Sequence, residues 1–297
     1  MKTKVLIALV VVLALAGWGT SALAITWGEP DENNEYPNVG AFFVERNDGR
    51  IWATCTGTLI HEQVFLTAGH CTDFVENLDA EGRLVAAYVS FDFDVRLDND
   101  PTFLKVAEII THPDYFWGGS NPHDVGLLIL AEPVTAIEPA TLPDEGFLDG
   151  LKRDGELRSG GPEGAKFTVV GYGGMLDYWW HGSEPLDGYA GEPPAGLGEP
   201  PEHIAYEDQR RFGESEYVAL VPIWLHMDQN RLHDNQGTCF GDSGGPAFWE
   251  PDEYTRILVG ITSWGDGMCV VTGFDYRVDI PDTLEFVYGK IDSLSQE

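Results

Sequence analysis

The chain is poor in positive charge. Only 17 Lys and Arg stand against 49 Asp and Glu, a formal net charge of −32 over 297 residues. Such a surface repels phosphate backbones and anionic headgroups, which argues against nucleic acid and anionic membranes as partners. Cysteine is also scarce. Cys55, Cys71, Cys239 and Cys269 are the only four, and none forms a Cys-x-x-Cys pair, so a zinc cluster is not indicated. There is no heptad pattern and no internal repeat. Past residue 24 no apolar stretch is long enough to span a bilayer.

Apolar residues make up 43% of the chain, enough for a core rather than global disorder. The 35 Gly and 18 Pro favour short elements joined by turns. Residues 1–24 stand apart: Lys2 and Lys4, then an apolar run from Val5 to Ala16, then Ala22-Leu23-Ala24. This is the three-part pattern of a secretory signal, and the run is short for a membrane anchor. Its removal would leave the mature chain two charges more negative, soluble, and in a compartment where cysteines pair. Four cysteines allow three pairings. High negative charge suits solubility outside the cell or a salty habitat, and composition does not choose between them.

Runs rich in Val, Ile, Phe, Tyr and Thr predict strands over Val39–Glu45, Thr56–Ile60, Val64–Thr67, Leu84–Phe93, Val125–Leu130, Lys166–Tyr172, Tyr217–Ile223, Gly245–Trp249, Ile257–Trp264 and Gly273–Val278. Many short, evenly spaced strands point to an all-β sandwich or barrel. Leu284, Val287, Tyr288, Ile291 and Leu294 recur at helical spacing and predict an amphipathic helix over about 281–294. From Met175 to Pro201 the chain is dense in Gly, Pro and acidic residues with interspersed aromatics, which reads as a long surface loop.

Three segments carry chemistry. In Gly241-Asp242-Ser243-Gly244-Gly245-Pro246, glycines let a serine sit on a tight turn with backbone N–H groups facing one space. The same Gly-x-Ser-x-Gly occurs in α/β-hydrolases, but those place their histidine after the serine, and here the last histidine is His233. A serine hydroxyl needs a base. Among eight histidines, His70 in Leu66-Thr67-Ala68-Gly69-His70-Cys71 is delivered by a β run. An imidazole base needs an orienting partner, and Asp124 opens the apolar run Val125–Leu130.

Taken together, Thr-Ala-Gly-His-Cys, then Asp-Val-Gly-Leu-Leu, then Gly-Asp-Ser-Gly-Gly-Pro resemble the chymotrypsin/trypsin family of serine proteases. His112-Pro113-Asp114-Tyr115, Gly171-Tyr172-Gly173 and Ser263-Trp264-Gly265 support the resemblance, which weakens between about 175 and 235. It implies two packed six-stranded antiparallel β-barrels, about 25–140 and 141–280, with a C-terminal helix. Ser243 would be the nucleophile, His70 the base and Asp124 its orienter. Gly241 and Ser243 N–H groups would form the oxyanion hole. The resemblance also implies disulfides Cys55–Cys71 and Cys239–Cys269, and an ion pair between a freed Ile25 amine and Asp242.

The pocket for the substrate residue before the scissile bond would be built from Gly237, Thr238, Ser263, Trp264, Gly265 and Gly273. With glycine at its floor it is expected to be open and to prefer large apolar or aromatic side chains. Asp275 near its back and Asp266 near its rim would instead favour a cation. The expected product is a secreted, monomeric serine endopeptidase acting on polypeptides, open to protein inhibitors, with no cofactor and no metal. His61-Glu62 starts a zincin-like pattern that no further histidine completes. The alternatives are a catalytically silent binding module on the same fold and an esterase using the same acyl transfer.

Overall fold

The structure is a computed structural model that describes residues 25–118, 120–160, 164–176, 204–206, 208–252 and 254–295. Most of the expected loop at 175–201 lies outside them. Fifteen strands are present among the described residues. The first half contains β1 (Glu29–Pro30), β2 (Val39–Arg46), β3 (Ile51–His61), β4 (Val64–Thr67), α1 (Gly69–Ala80), β5 (Leu84–Ser90), β6 (Leu104–Thr111) and β7 (Gly126–Leu130). The second contains α2 (Phe147–Asp154), β8 (Lys166–Gly171), β9 (Gly174–Leu176), β10 (Ile204–Tyr206), β11 (Arg211–Leu220), β12 (Trp224–Asp228), β13 (Pro246–Asp252), β14 (Thr255–Gly265), β15 (Thr272–Arg277) and α3 (Pro281–Leu294).

Two six-stranded antiparallel barrels result, as expected. The first closes in the order β2-β3-β4-β7-β6-β5, with β5 returning to β2. The second runs β11-β12-β15-β14-β13-β8, and β8 pairs with both β13 and β11 to close it. Closure removes the exposed edges that an open sheet leaves to aggregate. β11 shows why the sequence folds this way. Arg211, Gly213, Ser215 and Tyr217 are buried while Phe212, Glu214, Glu216 and Val218 are not, a strict period of two. A bulge between Tyr217 and Ala219 then shifts the phase. This strand begins earlier than the expected Tyr217 and stops at Leu220, so Val221–Ile223 form the turn into β12.

The expected boundary between barrels needs one correction. Residues 25–31 belong with the second barrel: β1 pairs with β11, and Thr26 and Gly237 exchange backbone hydrogen bonds of 2.7 and 3.2 Å. Asp31 and Arg210 form an ion pair of 2.7 Å with both side chains fully buried. The Arg210 guanidinium also donates to the carbonyls of Val39 and Phe91 in the first barrel, at 3.1 and 2.9 Å. One buried cation therefore ties the N-terminal segment to both barrels.

Candidate active site

His70 is in the first turn of α1, a helix that the sequence reading missed. No side chain caps it at Ala68; instead Asp124 accepts the His70 backbone N–H at 2.8 Å. The carboxylate thus occupies the position where a helix N-terminus favours negative charge. The His70 Nδ1 lies 3.1 and 3.0 Å from the two Asp124 oxygens. Asp124 is fully buried, and the turn carrying it is tight: Val125 N–H donates to the His123 carbonyl at 2.8 Å, with His123 at a φ of 49°.

A third donor reaches Asp124 from the other barrel. The register of β14 against β15 slips between Thr262 and Trp264, and the extra residue, Ser263, donates its hydroxyl to Asp124 Oδ2. The bulge re-aims the side chain to this task. Burial alone would raise the Asp124 carboxyl. The charge of His70 and hydrogen bonds from His70 and Ser263 outweigh it and hold the group below its ordinary range. Asp124 is therefore ionised and oriented toward the imidazole.

Ser243 sits half-buried on the turn between Cys239 and Pro246. Its carbonyl accepts from Thr56 N–H at 2.8 Å, and the Cys71 sulfur, one residue from His70, lies 3.8 Å from the same oxygen. Serine and histidine are thereby brought to one place from different barrels. The turn depends on two glycines. Gly244 has a φ of +83°, and a Cβ there would lie 2.0 Å from Thr67 Oγ1. At Gly173 a Cβ would meet Asp242 N at 2.5 Å. The Gly241 carbonyl is held by the Thr56 hydroxyl at 2.9 Å. Gly241 and Ser243 N–H have no acceptor among the described residues, as an oxyanion site requires.

Asp242 is fully buried and points the other way. Its oxygens accept from Gly173 and Cys239 N–H, both at 2.8 Å, and from the backbone N–H of Ile25. Burial still pushes its carboxyl up to about 7 against these three donors. Ile25 itself is fully buried. Disulfides join Cys55 to Cys71 and Cys239 to Cys269.

The expected pocket residues cluster, but not around an open floor. Gly265 lies opposite Gly273, and Trp264 stacks on Phe274 at 3.9 Å. The space freed by Gly237 and Gly273 is taken by Gln229, a residue that sequence reasoning missed. Its side-chain atoms come within 2.4 and 2.3 Å of where Cβ atoms on those glycines would lie. Gln229 Nε2 donates to Thr238 Oγ1 at 3.0 Å, and its Oε1 is buried with no partner among the described residues. Gln229 falls in the stretch, about 175–235, where the motifs read from the sequence are weak, and no local pattern marked it.

Asp275 is fully buried with both oxygens unpartnered among the described residues, and burial pushes its carboxyl up to about 8. It is therefore protonated and uncharged at neutral pH. Asp266 is no free rim charge either: its oxygens accept N–H groups from Met268, Val270, Val271 and Thr272 in its own loop. Trp117, which the sequence did not single out, lies edge-on to the His70 ring at 5.7 Å and is 40% exposed.

Comparison with known proteins gives one consistent outcome. The family model described as Trypsin matches residues 25–175 and 226–282. Vitamin K-dependent protein C of Mus musculus is 27% identical over 253 residues, covering 82% of this chain and 47% of that protein. The proteins of the same name from Rattus norvegicus and Oryctolagus cuniculus are each 25% identical, over 265 and 248 residues, covering 82% of this chain and 47% and 48% of theirs. The chain thus spans about half the length of these relatives.

Proposed function

The chain belongs to the trypsin family of serine proteases, and on that premise we propose that it is an active, secreted, monomeric endopeptidase with Ser243 as its nucleophile. The observation that carries this is the His70 imidazole, set 3.0 Å from a buried, ionised Asp124 beside a serine turn with free N–H groups. His70 takes the Ser243 proton as the hydroxyl attacks the peptide carbonyl. Gly241 and Ser243 N–H stabilise the oxyanion. His70 then returns the proton to the leaving amine, and water releases the acyl group by the same steps. The silent binding module is not favoured, since such a role would leave this arrangement without a use.

The proposed preference is for an uncharged residue before the scissile bond, apolar or aromatic, although Gln229 takes the space on which the expectation of a large one rested. Asp275 is uncharged at neutral pH, Asp266 is occupied by its own loop, and Gln229 makes the floor polar without charge. Polypeptides, and protein inhibitors that mimic them, are the proposed partners.

The test is labelling of the secreted protein with a fluorophosphonate probe and mapping of the modified peptide. Labelling of Ser243 that is lost in His70→Ala supports an activated serine. No labelling of folded protein starting at Ile25 overturns the proposal. A panel of chromogenic peptides checks the preference, and faster cleavage after Arg than after Phe at pH 7 rejects it.

A further inference from the structure

Beside the triad, and unused by it, lie His112, His123 and Asp282. His112 follows β6, His123 immediately precedes Asp124, and Asp282 is in the first turn of α3. The Asp282 Oδ2 atom is 2.6 Å from His123 Nδ1 and 3.6 Å from His112 Nε2. The two imidazoles stack with centroids 4.9 Å apart and planes inclined by 14°, and Phe286 backs the His112 ring at 4.8 Å. One ligand atom from each of the three residues lies within 4.8 Å of the others. The Asp282 side chain is 40% exposed, which opens the cluster to solvent.

We propose that His112, His123 and Asp282 form a binding site for one divalent transition-metal ion, with Zn²⁺ the ion whose chemistry fits it. Two imidazole nitrogens and a carboxylate oxygen are the donor set that zinc and its neighbours take, whereas Ca²⁺ and Mg²⁺ call for oxygen alone. Tetrahedral zinc with bonds of about 2.0–2.2 Å sets its donors roughly 3.3–3.5 Å apart. The 3.6 Å pair already stands near that spacing. The 2.6 Å hydrogen bond opens by less than an ångström when the ion replaces the shared proton. A water completes the fourth position.

The protons balance without release. Asp114 N–H points at His112 Nδ1 at 3.2 Å, so the free ring carries its proton on Nε2. Zinc at Nε2 moves that proton to Nδ1 and gives up this long bond. His123 shifts its proton from Nδ1 to Nε2.

The ion would pull on His123, whose carbonyl closes the turn around Asp124, and so slow hydrolysis. The site stands without the protease reading, and only this consequence rests on it. The second group of potential ligands, Cys55, His70 and Cys71, is no rival, because both sulfurs are spent in a disulfide.

The experiment uses processed protein starting at Ile25, stripped with a chelator and titrated with ZnCl₂ by calorimetry in 0.15 M NaCl. At that salt the Debye length is about 8 Å, which suppresses loose counterion binding to an acidic surface. Co²⁺ serves as an optical probe. The expected result is a one-to-one phase with visible d–d absorption for Co²⁺, weakened more than about tenfold in both Asp282→Asn and His112→Gln. Fluorophosphonate labelling of Ser243 in both variants verifies their fold, and zinc should slow peptide cleavage in the wild type but not in them. Absence of binding, affinity unchanged by either substitution, or only multiple binding that fades with added salt overturns the site. Failure of the wild type to label overturns the protease reading and leaves the metal result standing.

Discussion

The placement of Ile25 against Asp242 would make the proposed cleavage after Ala24 an electrostatic event. While residue 25 is joined to residue 24, its nitrogen is an amide, and Asp242 is fully buried with no cation beside it among the described residues. Its carboxyl is raised from 3.8 to about 7. Three units at about 1.4 kcal/mol each make ionisation cost roughly 4 kcal/mol. Cleavage turns that amide into an ammonium at the same point. An ion pair about 4 Å apart at an effective dielectric near 20 is worth roughly 4 kcal/mol, which offsets the whole penalty.

In the uncleaved chain the folded carboxyl is raised, so stability is full below the unfolded value near 4 and falls as pH rises through about 7. In the cleaved chain that loss is absent. An ammonium paired with the carboxylate would hold both groups charged across the neutral range. The assay compares denaturant midpoints of chains starting at Ile25 with chains carrying a short Gly-Ser extension, from pH 4 to pH 8. The extended chain should lose up to roughly 4 kcal/mol more than the processed one between pH 4 and 7, and Asp242→Asn should abolish that difference. Fluorophosphonate labelling should be strong only in the processed chain. Matching pH profiles for the two chains would refute the reasoning.

Further predictions concern single residues. Ser263→Ala removes a hydrogen bond to a buried anion, worth about 1.5–3 kcal/mol, so kcat/KM should fall roughly 10- to 100-fold and the acid limb of its pH profile should move up. Arg210→Met leaves Asp31 buried and unpaired; urea denaturation should show a loss of about 3–5 kcal/mol, and a loss below 1 kcal/mol would mean that the pair is not buried as described. Asp275→Asn cannot ionise. Since the native carboxyl is raised to about 8, the variant should match wild type near pH 4 and gain on it as pH rises toward 8, read as a difference in thermal midpoint. The ratio of cleavage after Arg to cleavage after Phe should rise above pH 8 in the wild type and should not do so in that variant.

The strands that carry the site were largely legible. Val64–Thr67 and the helix Pro281–Leu294 stand where the pattern of apolar residues put them. The misses have physical causes. β6, Leu104–Thr111, is half-exposed with charged residues, so it lacks a continuous apolar run. α1 begins on the histidine motif itself, and its N-terminal cap comes from Asp124, 54 residues away, rather than from a local side chain. A capping signal of that kind leaves no trace in local sequence.

The sequence by itself determined the chemistry: which serine, histidine and aspartate occur, in which order, and in glycine-rich surroundings that let a backbone turn tightly. Those are properties of short segments, and short segments are what a sequence displays. The tertiary structure alone decided the environment of each group. Gln229 fills the floor that two glycines seemed to leave open, a bulge turns Ser263 onto Asp124, and burial raises Asp242 and Asp275. Burial and the position of charges depend on which distant segments meet, and that is settled only when the two barrels close and pack.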